Sequence, residues 1–102
     1  MTVTKLEGLK AAMNAARFAR DDARRIADFL KTDAIEADAY ATQYPDDAQI
    51  KYWRIEATYQ LDRAKAVYQA AEAAYCKAEQ AHNSWVEEMT YAATEVDDGE
   101  LQ

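Results

Sequence analysis

The chain has 102 residues, a formal net charge of −7, one cysteine, two glycines and one proline. Half of its residues are apolar, but 23 residues are alanine, which makes one domain with a thin core. The acidity disfavours direct binding to nucleic acid or an anionic membrane, and the scarcity of Gly and Pro favours a few long helices over a bundle with many turns.

Thr4 and Glu7 stand at the spacing of a capping box, so a first helix is expected from about residue 5 to 43. At about 100° per residue its buried stripe reads Leu9, Ala12, Ala16, Ala19, Ala23, Ile26, Ala27, Leu30, Ala34, Ala37, Ala41 and Tyr44. The phase holds across Thr32 and Asp33, although Asp33 and Glu36 offer an alternative cap and a place for a kink. Pro45 pushes Tyr44 out of helical geometry, which puts the turn at Tyr44-Pro45-Asp46. Asp46, with Gln49 three residues on and a Pro45/Ile50 staple, is the expected N-cap of a second helix over residues 47–96. Asp46 and Asp47 also set negative charge at its positive end.

That second helix is the clearest signal in the chain. Leu61, Tyr68, Tyr75, His82, Met89 and Val96 repeat in heptads, and Ala57, Ala64, Ala71, Ala78, Trp85 and Ala92 precede them by four. Large residues hold one seam position and mostly alanine the other, so a neighbouring backbone can come close. Lys51, Asp62, Lys65, Gln69, Cys76, Gln80, Asn83 and Glu87 form the opposite, solvent-facing set. Ser84 and Glu87 repeat the capping spacing after Asn83, but Trp85, Met89 and Val96 keep phase, which favours one continuous helix. The tail, residues 97–102, is acidic and is expected to fray.

The fold expected is therefore all-α: a long antiparallel helical hairpin with an alanine-rich seam and a longer second helix. Seam partners should have numbers summing to about 90, and arms of about 40 residues are about 60 Å long. Arg17, Arg20, Arg24 and Lys31 then flank the seam near Glu72. The structural reading is ion pairs beside the seam, and the functional one is a phosphate patch, which Asp21, Asp22 and Asp28 interrupt. A hairpin covers one face of each helix. Phe18, Phe29 and Tyr40, eleven residues apart and so on one side of helix one, together with Tyr52, Ile55 and Tyr59 on helix two, need a further partner. Homodimerisation is the expected solution.

Chemistry is sparse. His82 and Cys76 are the single histidine and cysteine, fewer than a zinc site requires. A lone cysteine rules out an intrachain disulfide and fits a reducing cytoplasm. Ser84 is the one serine and has no base beside it, and the two glycines build no phosphate loop. Glu79-Gln80-Ala81-His82 matches the Glu-x-x-His spacing of di-metal bundles once, and a homodimer would supply the second copy. No enzyme activity, cofactor or metal is expected. The N-terminus has no apolar run of a signal peptide, and no stretch is long enough to cross a membrane.

The charge is uneven: residues 61–102 hold nine acidic and three basic groups, whereas residues 1–30 hold four and six. A non-enzymatic module that occupies the basic, nucleic-acid-binding surface of a partner protein is the first functional reading, with Glu87, Glu88, Glu95, Asp97, Asp98 and Glu100 standing in for phosphates. Size and charge make small phage inhibitors of nucleases or defence complexes the analogy. The alternative is a self-associating coiled-coil adaptor using the apolar rings. In length, acidity and central turn the chain also resembles the small secreted helical hairpins of the WxG-motif family. Tyr91-Ala92-Ala93-Thr94-Glu95 fits their Tyr-x-x-x-Asp/Glu secretion pattern, while Tyr44-Pro45-Asp46 stands where that family carries Trp-x-Gly. That resemblance implies export by a dedicated route.

Overall fold

The computed structural model describes the backbone of residues 2–101 and the side chains of residues 4–93. Two helices account for it: α1, Thr2–Gln43, and α2, Ala48–Leu101. They pack against each other as an antiparallel hairpin measuring 83 × 21 × 13 Å. The long dimension is that of α2, whose 54 residues give about 81 Å at 1.5 Å each. With 42 residues, α1 is twelve shorter, so the C-terminal part of α2 extends past its partner. The tail expected to fray lies outside the described side chains.

The turn is built by backbone geometry and one carboxylate. Tyr44 donates its amide to the Tyr40 carbonyl at 2.8 Å, closing the last turn of α1, and the Asp47 amide donates to the Tyr44 carbonyl at 3.2 Å. The N-cap of α2 is Asp47, one residue later than the Asp46 read from the sequence. Its Oδ1 accepts from the amides of Gln49 at 2.9 Å and Ile50 at 3.1 Å, and its carbonyl accepts from Lys51 at 3.0 Å. Asp46 is spent inside the turn, so the capping box with Gln49 and the Pro45/Ile50 staple lose their positions. Thr4 likewise lies within α1 rather than ahead of it.

The covered residues of α1 are Leu6, Leu9, Met13, Ala16, Arg20, Ala23, Ala27, Leu30, Asp33, Ala34, Ala37 and Ala41. Asp33 apart, they alternate steps of three and four, a strict heptad with Leu6 at a and Leu9 at d. Tyr44 is exposed because it lies in the turn beyond α1, and Ala12, Ala19 and Ile26, placed in the stripe by a straight 3.6-residue reading, are exposed instead. The reason is supercoiling. A straight helix drifts about 20° per heptad from a 3.5-residue seam, which displaces residues several heptads away onto the flank. On α2 the seam runs Ile50, Trp53, Ala57, Leu61, Ala64, Tyr68, Ala71, Tyr75, Ala78, His82 and Trp85, as the heptad pattern requires from Ala57 to Trp85, whereas its next members, Met89 and Ala92, are exposed where α1 comes to its end. The successive fours at Trp53, Ala57 and Leu61 form a stutter that locally unwinds the coil.

The fully covered residues are all alanine: Ala23, Ala37, Ala41, Ala57 and Ala64. The register agrees with the expected rule, since Asp33–Trp53, Asp38–Arg54, Tyr40–Trp53 and Arg20–Tyr75 have numbers summing to 86, 92, 93 and 95. The flanking arginines do not form the expected seam pairs with Glu72. Arg20 binds Asp21 at 3.1 Å and Arg25 lies 3.9 Å from Asp22, both on α1. Among the described residues the ion pair that crosses the hairpin is Arg54–Asp38 at 3.2 Å. Replacing Asp47 by Ala should cost about 1 kcal/mol in urea unfolding, against less than about 0.5 kcal/mol for Asp46→Ala.

Candidate functional site

The two helices create two unlike sides. In an antiparallel pair, e positions meet e positions along one side of the seam and g positions meet g positions along the other. The cross-hairpin contacts agree with this assignment. Asp38 meets Arg54 on the e side, whereas Trp53 reaches Asp33 (Nε1–Oδ1, 3.3 Å) and stacks on Tyr40 (5.7 Å between centroids, tilted 41°) on the g side.

On the e side, Arg17, Arg24 and Lys31 of α1 run beside Lys65, Glu72 and Glu79 of α2. The Arg20 guanidinium lies 4.3 Å above the Tyr75 ring, and the Tyr75 hydroxyl donates to Glu79 at 2.9 Å. This links the seam to its charged margin. The hydrogen bond to Glu79, then partial burial and the nearby carboxylate charge, hold the Tyr75 phenol above its ordinary value. The hydrogen bond to Asp21 raises Arg20 further, so it stays a cation. His82 sits in the seam with Nδ1 3.1 Å from Asn83 Oδ1, while its buried Nε2 has no hydrogen-bond partner. Glu79 is occupied by Tyr75. Among the described residues no three His, Cys, Asp or Glu side chains group as metal ligands. Cys76 is an exposed free thiol.

The apolar residues proposed from sequence to meet a partner are all outside the seam. Phe18 is 70% exposed, Phe29 73%, Tyr52 67% and Ile55 68%. Tyr40 is partly covered by Trp53, and Tyr59 carries Arg63 over its ring at 5.7 Å. Tyr52, Ile55 and Tyr59 stay together on the back of α2. Phe18, Phe29 and Tyr40 do not share one side. In a 3.5-residue frame each eleven-residue step advances about 50° around the helix, so the three pass from the back of α1 to the g side. Ile26, 50% exposed, and Val67, 60% exposed, were not recognised as surface residues from sequence. The heptad phase of each helix, α1 for Ile26 and α2 for Val67, is the signal that finds them.

Of the acidic residues proposed for partner binding, Glu87 and Glu88 are exposed, level with the first turns of α1. Glu95, Asp97, Asp98 and Glu100 lie outside the described side chains. Val86, Glu87, Thr90 and Tyr91 line a shallow open hollow on the same segment. No described helix is long and apolar enough to cross a membrane. Compared with known families, characterised proteins and solved structures, the chain matches none of them.

The raised Tyr75 predicts a sign. Stability from its protonated form is present below about pH 10, the ordinary tyrosine value, and is lost as pH rises through the higher folded value. Alkaline titration followed at 295 nm should lose its latest phase in Tyr75→Phe.

Proposed function

We propose that this protein is a non-enzymatic binding module whose acidic arm occupies a basic surface of a partner protein, one that otherwise holds nucleic acid. The observation that carries the reading is the unequal length of the helices. Beyond the reach of α1, from about residue 92, α2 carries Glu95, Asp97, Asp98 and Glu100, and with Glu87 and Glu88 just before them residues 86–102 contain six carboxylates and no lysine or arginine. A rod end with charge of one sign attracts a cationic groove at long range and fixes which end docks. A helix end that carries charge of one sign makes nucleic-acid mimicry, of the kind used by small phage-encoded inhibitors, the fitting class. The cytoplasm is the compartment that suits such a target.

The attraction is electrostatic, so capture of the partner in a pull-down should fall at least about tenfold between about 50 and 500 mM salt. Replacing the six carboxylates by amides should abolish it. Capture that ignores both changes removes the inhibitor reading.

A second reading, a self-associating helical adaptor, is favoured by a different observation: the covered core is alanine while phenylalanine, isoleucine and tyrosine side chains stand exposed. Burying a methyl group contributes only about 0.8 kcal/mol, and small single-layer units commonly complete their cores by oligomerisation. Sedimentation equilibrium should show a dimer, and a monomer at about 200 µM, well above a usual self-association constant, would end this reading.

A further inference from the structure

Between Ala12 and Asp33 the two sides of the hairpin differ completely at equivalent positions. The e side offers Arg17, Arg24, Lys31, Lys65, Glu72 and Glu79, all charged. The g side offers Ala12, Ala19 and Ile26 beside Ala81, Ala74 and Val67, with no charge, and every one is exposed. Phe29, 73% exposed, adds bulk at the edge of this side.

We infer that the g side is the interface with a second copy of this chain, which rests on the self-associating reading and assigns it a surface. Two arguments select a copy as the occupant. The first is charge. Charged residues at the margin of this patch are Asp22 and Asp33 on α1 and Arg63 and Lys77 on α2, so it is neutral on a chain of net charge −7. Copies that repel elsewhere meet here without a like-charge penalty, whereas a basic partner or an anionic one gains nothing from it. The second is area. Ala12 to Asp33 spans about 32 Å along the axis, and the hairpin is 21 Å wide. That projects to roughly 660 Å² per copy, or roughly 1,300 Å² for both, within the range of specific interfaces. The alanines let the second pair of helices approach closely, and Ile26 and Val67, level with each other across the hairpin, supply the buried anchors. The resulting dimer is a four-helix bundle with its charged e sides outward.

Sedimentation equilibrium decides between this surface and the outer rings. The native chain, 11.5 kDa as a monomer, is expected as a dimer. Ile26→Asp combined with Val67→Asp should weaken the dimer by about 100-fold or more while far-UV circular dichroism stays helical, because neither residue belongs to the intramolecular seam. Tyr52→Ser, Ile55→Ser and Tyr59→Ser together should leave the dimer intact. In a Cys76→Ser background, Ala74→Cys should form a disulfide-linked dimer under mild oxidation and Gln69→Cys should not, a readout that needs no disruptive change. A dimer that survives the double aspartate variant, or dissociates in the triple serine variant, overturns the g-side assignment while keeping self-association. A native monomer overturns both.

Discussion

Close approach of two backbones along an alanine seam is the constraint on which this structure depends. Ala23, Ala37, Ala41, Ala57 and Ala64 are the fully covered residues among those described. A methyl group keeps the helices near enough for Tyr68, Tyr75 and Trp53 to lie across the neighbouring helix, where larger seam residues would hold them off. The register follows from this. Trp53 can reach Asp33 and lie on Tyr40, and Arg20 can lie over Tyr75, because alanines occupy the positions between. An alanine seam is also energetically lean. Its stabilisation comes mostly from half-covered leucines and rings at its margins.

Polar interactions supplement this seam more than they build it. Arg20–Asp21 and Arg25–Asp22 are local pairs within α1, and such pairs contribute little. Two polar contacts cross near the turn, Asp33–Trp53 and Asp38–Arg54. Toward the open end the crossing contact is the Arg20–Tyr75 stack, extended by the bond from Tyr75 to Glu79. The hairpin is therefore pinned hardest where the chain reverses. Its far end is left to the seam, which there includes a histidine whose Nε2 is buried without a partner.

The asymmetry around that seam is what gives the molecule more than one surface. One side is lined by charged residues of both signs, the other by alanine, isoleucine and valine, and the end of α2 runs on alone with its carboxylates. The proposed activities divide along these lines: a basic partner at the acidic arm, a second copy at the apolar side. They are compatible in one molecule, because a bundle formed through the g sides leaves the arms outside it. The chain's Tyr91–Glu95 match to a secretion pattern sits on that same arm, and Thr94 and Glu95 lie outside the described side chains.

The helical hairpin, its turn at Pro45 and the seam of α2 from Ala57 to Trp85 were legible in the sequence, since periodicity and proline act through local geometry. The exposure of Phe18, Phe29, Tyr52 and Ile55 was legible too, because one partner helix covers one face. Three things awaited the tertiary structure. The cap moved from Asp46 to Asp47 because the turn's own hydrogen bond, Asp47 amide to Tyr44 carbonyl, decides where α2 begins. Ala12, Ala19 and Ile26 left the seam for Leu6, Met13 and Arg20 because supercoiling replaces a 3.6-residue period by 3.5. The contrast between a charged and an apolar side belongs to neither helix alone; it arises only when their flanks are set side by side, and sequence spacing within one helix carries no information about that pairing.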